Sequence, residues 1–198
     1  MQRKNRRSLS QVDRVWSLFL DRDGVINQRI WDGYVTNKED FQFIEGVQEA
    51  LKIFSDIFKH IVVVTNQQGI GKGLMKTEDL DIVHEKMLKS VEETGGRIDK
   101  VYFCPDLKEH QPFCRKPQVG MALQAQKDYP EINLKKSIMV GDTLNDMIFG
   151  RRLNMITVLV GKDQQLTGDH YKFIDYSFDN LLQFAKTIYN QVNSKNCV

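Results

Sequence analysis

In the stretch "LFLDRDGVIN", residues 18 to 27, Asp21 and Asp23 stand one residue apart, behind an apolar run and ahead of a glycine. Like charges so close repel, so the pair calls for a cation or a chemical use. Other reactive side chains also follow apolar runs: Thr65, Asn66 and Gln67 after "IVVV", Arg115 and Lys116 in a loop behind "VYFC", and Gly141 and Asp142 after "SIMV". A few carboxylates gathered in one place suit Mg²⁺, which keeps several waters and often holds a phosphate. Asp21, Asp142 and a backbone carbonyl near Asp23 could form that shell, with Thr65 and Lys116 on the phosphate oxygens. A carboxylate can also attack phosphorus and carry the group as an aspartyl-phosphate, which splits one hard displacement into two easier ones. Two residues apart at a strand end, Asp21 and Asp23 can point the same way, so one can attack while the other moves a proton.

The elements that must position these residues are read from apolar spacing. "IVVVT" is apolar and β-branched up to Thr65, as in a central parallel strand covered on both faces. In "GVQEALKIFSDIF", Val47, Ala50, Leu51, Phe54 and Phe58 follow the i, i+3, i+4, i+7 spacing of an amphipathic helix. A second helix runs from about Thr77 to a stop at Gly95-Gly96, with His84 on its apolar stripe in a structural role. Further strands are expected at Val15 to Leu20, Val101 to Cys104, "SIMVG" and "ITVLV", with a short apolar piece near Phe173 to Tyr176. Helices are expected in "PQVGMALQAQKDY", in "TLNDMIFGRRL" and from about Asn180. Strands alternating with such helices imply an α/β fold, a doubly wound parallel sheet with helices on both faces. Its ligands bind beyond the carboxyl ends of the strands, where the reactive residues fall.

The chain has 198 residues, 41% hydrophobic and 27% charged, which suits one globular domain with a sizeable core. The expected organisation is a flexible basic tail over residues 1–14, a single domain over 15–192 and a C-terminal tail over 193–198. A net charge of +2 is too small to mark nucleic acid as the main partner. No apolar run approaches the ~18 residues that span a bilayer, so a soluble protein without membrane contact is expected. Cys104, Cys114 and Cys197 form no even disulfide framework and suit a reducing cytoplasm. "GIGKG" lacks the spacing of a nucleotide P-loop and is expected to turn its backbone amides toward the same phosphate.

"DRDGVIN", "VVVTNQQGIGKG", "CRKP" and "VGDTLND", in this order, resemble the four motifs of the haloacid dehalogenase (HAD) superfamily of phosphatases. The likeness is nearest to the D-glycero-D-manno-heptose 1,7-bisphosphate 7-phosphatase and histidinol-phosphatase family, and it covers about Trp16 to Tyr189. It implies a Rossmann-like HAD core, Asp21 as nucleophile, Asp23 as general acid/base, and Mg²⁺ on Asp21, the Asp23 carbonyl and Asp142. It further implies Thr65 and Lys116 on the phosphoryl group, and Asp146 supporting the metal site from behind. Arg115 would recognise the rest of the substrate, with Asp32, Gly33, Tyr34, Asn66, Gln67 and Gln68 as further contacts.

Departures from the family pattern are as informative. Thr143 stands where a Lys is common, and the first loop is longer in "NQRIWDGY". The zinc loop of many relatives keeps only Cys104 and Cys114, since Asp106 and Pro112 replace two ligands. A substitute set of Cys104, Asp106, His110 and Cys114 is conceivable, and a metal-free loop is the expectation. The spacing from Asp21 to Thr65 and on to Lys116 leaves no room for a cap domain, so specificity must come from loops. The expected substrate is a small phosphorylated sugar, a heptose bisphosphate of the pathway to bacterial surface lipopolysaccharide, handled by a cytoplasmic monomer. Histidinol phosphate is the second candidate, and a non-catalytic phosphate-binding protein the third.

Overall fold

Every residue of β1 (Ser17–Leu20) is buried, with Leu18 and Leu20 in one apolar cluster and Phe19 in the other. That two-residue alternation is what a strand covered on both faces requires. The computed structural model describes residues 7–161 and 166–194. In it β1 joins β2 (His60–Asn66), β3 (Lys100–Cys104), β4 (Ser137–Gly141), β5 (Ile156–Val160) and β6 (Tyr176–Phe178) in one parallel sheet. The strand order is β3-β2-β1-β4-β5-β6.

Helices cover both faces. On one lie α1 (Val47–Ile57), α2 (Thr77–Glu93) and α5 (Leu181–Asn193), which bury Leu51, Phe54, Val83, Met87, Phe184 and Ile188 in the larger cluster. On the other lie α3 (Gly120–Asp128) and α4 (Leu144–Arg152), which contribute Met121, Ala125 and Phe149. Burying a side chain such as Phe54 contributes roughly 1.5–3 kcal/mol, which is why the apolar stripe fixes each helix to its face.

The chain runs outward from β1 through β2 to β3, then crosses back to place β4 on the other side of β1. Strand order reverses at β1, and the loops beyond its carboxyl end and that of β4 therefore diverge and leave a crevice. Asp21 follows β1 and Asp142 follows β4, so both line that crevice.

The elements match the expected alternation, with shifts at the ends. β1 begins at Ser17 because Val15 is half exposed. The piece near Phe173 to Tyr176 divides into a 3-10 turn, Gly168–Phe173, and the short edge strand β6. The larger correction concerns the tail expected over residues 1–14. Leu9 and Val12 are each 1% exposed, in a 3-10 turn (Leu9–Gln11) packed under α5, and the Tyr176 hydroxyl donates to the Arg7 carbonyl. A pair of apolar residues three apart is enough to dock that segment; residues 1–6 and 195–198, with Cys197, lie outside the described residues. Cys104 and Cys114, expected unpaired, are joined in a disulfide, since the loop after β3 returns with their Cα atoms 5.3 Å apart.

Candidate active site

Two glycines let the acidic loops close on each other. Gly24 has φ +90°, and a Cβ there would stand 2.0 Å from Asp142 Oδ2. A Cβ on Gly141 would meet Asp146 Cβ at 2.1 Å. Only glycine lets the backbone pass this near to the carboxylates. Asp21, Asp142 and Asp146 thereby offer carboxylate oxygens within 4.8 Å of one another, a group able to hold a metal ion.

Lys116, 2% exposed, runs its ammonium between two of these acids, 2.8 Å from Asp21 Oδ1 and 2.6 Å from Asp146 Oδ1. Burial alone would favour the neutral amine, but Asp146 and Asp21 outweigh it and hold the pKa above its ordinary value. Lys116 is therefore a fixed positive charge. Its backbone is clamped as well: Asn66 Oδ1 accepts from the Lys116 N–H at 2.9 Å, and Asn66 Nδ2 donates to the Lys116 carbonyl at 3.1 Å.

The other Asp146 oxygen, Oδ2, accepts from the Thr143 N–H at 3.1 Å and the Thr143 hydroxyl at 2.5 Å. This reciprocal cap at the start of α4 gives Thr143 its place, since a hydroxyl there fixes the acid that orients Lys116.

Burial pushes the Asp21 carboxyl up to about 6, with Asp146 and Asp23 adding to the rise and Lys116 opposing it. Asp142 goes to about 7, from burial first and then from Asp21 and Asp146, against the Arg29 guanidinium. Asp23 behaves in the opposite way. Burial would raise it, yet Arg22, Asn27 and Gln67 bring it below the usual carboxylate range. Its Oδ1 accepts from Arg22 Nη2 and Asn27 Nδ2, both at 2.9 Å, and its Oδ2 from Gln67 Nε2 at 2.8 Å. Fully buried Arg22 also donates to His84 Nε2 at 3.1 Å, so His84 accepts as a neutral ring.

A cleft of about 570 Å³ opens above these groups, lined by Asp21, Asp23, Thr65, Lys116 and Asp146 at its floor. Asp32, Gly33, Tyr34, Asn66, Gln68 and Arg115 line it too, as expected of substrate contacts. Gln67 does not serve as one: it is 1% exposed and spends its amide on Asp23 and on Thr65 Oγ1 at 2.9 Å. Strand alternation puts Thr65 and Gln67 on the same side, which turns Gln67 inward. The "GIGKG" turn is also corrected, because the N–H groups of Gly71, Lys72 and Gly73 bond to Pro105, Gln68 and Ile70 carbonyls. What the turn brings to the cleft is the Lys72 side chain, with its ammonium 5.3 Å from the Tyr34 ring centre.

Sequence reasoning passed over Arg22, Asn27, Arg29 and Lys72. The longer first loop was the available signal for Arg29. The substitute zinc set loses two of its ligands here: the disulfide takes both sulfurs, and Asp106 Oδ2 lies 3.6 Å from Cys114 Sγ.

A buried carboxylate beside a second acid, a hydroxyl, a buried lysine and an acidic cradle able to hold a metal ion, all at the switch point of a parallel sheet, define a HAD-type phosphohydrolase. The family described as polynucleotide kinase 3 phosphatase matches residues 17–188, and the chain belongs to it as a phosphatase of the HAD superfamily. A D-glycero-alpha-D-manno-heptose-1,7-bisphosphate 7-phosphatase from Mycobacterium bovis is 35% identical over 173 residues, 87% of this chain and 91% of its own. A D-glycero-beta-D-manno-heptose-1,7-bisphosphate 7-phosphatase from Helicobacter pylori is 41% identical over 135 residues, 68% of this chain and 76% of its own. The crystal structure of D,D-heptose 1,7-bisphosphate phosphatase from B. bronchiseptica, complexed with magnesium and phosphate, aligns with TM-score 0.76 and 26% identity, covering 89% of this chain and 99% of that one. Among the described residues no helix is long and apolar enough to cross a membrane.

Proposed function

We propose that this phosphatase removes the 7-phosphate of a D-glycero-D-manno-heptose 1,7-bisphosphate with the help of Mg²⁺. The observation that carries the reading is the Asp21–Lys116–Asp146 chain facing Asp142 across the cradle. The names of the relatives supply the substrate class. The donor set suits the metal, since Asp21, Asp142 and the Asp23 carbonyl are hard oxygen ligands around a small glycine-lined gap. Bound there, Mg²⁺ would neutralise the acids and the charge on the phosphoryl oxygens.

Asp21 attacks phosphorus, the bond from phosphorus to the sugar oxygen breaks, and Asp23 gives that oxygen a proton. Asp23 then takes a proton from water, whose oxygen attacks the aspartyl-phosphate, releasing inorganic phosphate and restoring Asp21. Lys116 and Thr65 hold the phosphoryl oxygens throughout. Arg22, Asn27 and Gln67 keep Asp23 ionised, ready for the second step. For the first, the negative charge of the incoming phosphate raises its proton affinity by like-charge repulsion. Arg115, Lys72 and Tyr34, farther up the cleft, meet the rest of the sugar phosphate.

The test is phosphate release with Mg²⁺ from both anomers of the heptose bisphosphate and from histidinol phosphate, with Asp21→Asn as the blank. A kcat/KM advantage of at least a hundredfold for one heptose anomer supports the reading. Preference for histidinol phosphate would assign a different substrate to the same chemistry. Substantial turnover by Asp21→Asn would remove Asp21 as nucleophile.

A further inference from the structure

The acidic cradle already has a cation of the protein's own. Arg29, in the loop after β1, donates from Nη2 to the Asp23 carbonyl at 2.7 Å and to Asp142 Oδ1 at 2.8 Å. Its Nε donates to Asp142 Oδ2 at 3.1 Å. The guanidinium thus takes both oxygens of one carboxylate together with the neighbouring carbonyl. Those are two of the three groups assigned above to Mg²⁺, and a bidentate pair leaves Asp142 no oxygen in the same direction for a metal.

Arg29 also belongs to a wall of the cleft, where Ile30, Trp31, Asp32, Gly33 and Tyr34 follow it directly. Trp31 is 83% exposed, Asp32 sits at φ 59°, and the start of the segment is pinned by the Gln28 N–H on the Gln42 carbonyl at 2.8 Å. The segment is held at its start by Gln28 and at its far end by the Tyr34 hydroxyl, which accepts from Gln68 Nε2 at 2.7 Å. Between those ends it is the Arg29 pair that ties it to the cradle, and release of that pair loosens the stretch that carries Trp31.

We propose that Arg29 is the built-in counter-ion of the cradle, and that Mg²⁺ binds by displacing it, so that metal loading and movement of the stretch from Arg29 to Gly33 are one event. This rests on the Mg²⁺ reading of the site. Before metal enters, the guanidinium and Lys116 together offset the mutual repulsion of Asp21, Asp142 and Asp146. Metal entry exchanges one charge for two at the same oxygens. The competition lowers the apparent Mg²⁺ affinity to its intrinsic value multiplied by the fraction of molecules in which the guanidinium has left the cradle.

The experiment titrates MgCl₂ into chelator-stripped, dialysed protein by calorimetry, comparing wild type with Arg29→Ala and Arg29→Gln. Both variants are expected to bind Mg²⁺ about tenfold more tightly. In parallel, Mg²⁺ is expected to change the tryptophan fluorescence of the wild type. Trp31→Phe should abolish the change, because the other tryptophan, Trp16, is buried away from the cleft. Equal or weaker Mg²⁺ binding by both Arg29 variants, with their melting transitions intact, overturns the counter-ion role and leaves the metal site standing. No Mg²⁺ binding by the wild type or either variant overturns the metal reading itself, and the displacement with it.

Discussion

Asp23 is held by three side chains that the proposed reaction does not consume, and one of them leans on a histidine. Arg22 spans from Asp23 to His84, and burial, reinforced by the Arg22 charge, pushes the His84 ring down to about 3. The unfolded ring titrates near 6.5, so between about pH 3 and 6.5 the unfolded chain binds the extra proton. Stability therefore rises with pH through that window and is lost as pH falls, by up to about 1.4 kcal/mol per unit. Asp21 and Asp142 act with the opposite sign, because their native values of about 6 and about 7 lie above the ordinary one. A single curve mixes the two, and a difference between proteins separates them. His84→Gln, which keeps an acceptor for Arg22, is expected to lose about 1–2 kcal/mol less than the wild type between pH 6.5 and 5 in urea unfolding. Equal losses would mean that His84 charges without penalty. The stripe position of His84 was legible from spacing, but its partner was not. Arg22 falls between the two aspartates, past the end of β1, where no strand period says which way a side chain turns.

At the scale of elements, apolar runs announced β1 to β5 and the helices α1 to α5, because each must bury one face or stripe against the sheet, whereas β6 was only a short apolar piece near Phe173 to Tyr176. The segment before β1 escaped that logic. Its 3-10 turn is three residues long, too short for any period, and Arg3, Lys4, Arg6 and Arg7 give it the composition of a solvated arm. Leu9 and Val12 nevertheless enter the larger core cluster beside Ile188 of α5. Leu9→Ala is expected to lower unfolding stability by about 2–4 kcal/mol through the cavity it leaves. It should leave kcat unchanged at temperatures well below the transition, since no residue of the turn lines the cleft. A loss below about 0.5 kcal/mol, the range of ordinary surface changes, would show that the turn is a detachable arm. The end of β2 also accounts for the inward turn of Gln67: the residue just past the strand sends its amide back to Thr65 Oγ1 and on to Asp23, so it supports the acid from inside.

At the scale of the molecule, the site is an open crevice at a strand-order reversal, with no cap domain inserted among the described residues. The floor, Asp21 with Lys116 and Asp146, was legible in outline because strand ends in such sheets converge there whatever lies between them in sequence. Of the upper walls, Asp32, Gly33, Tyr34, Gln68 and Arg115 were legible only through the likeness to the family, and Arg29 and Lys72 were not, since loops carry no period and the first loop is longer than the family pattern. An uncapped floor should accept any phosphomonoester that reaches it, and discrimination then rests on the walls. Arg115→Ala is accordingly expected to lower kcat/KM for the heptose bisphosphate by about 10–100-fold, the worth of a charge-assisted hydrogen bond. It should change p-nitrophenyl phosphate turnover by less than about threefold, because that ester is held at the floor alone. Equal loss on both would place Arg115 on the transferring phosphoryl group. A 3′-phosphorylated oligonucleotide, the substrate suggested by the family's description, gives a third arm. Its turnover would fall steeply with salt if backbone phosphates were engaged, whereas the small net charge predicts little turnover at any ionic strength.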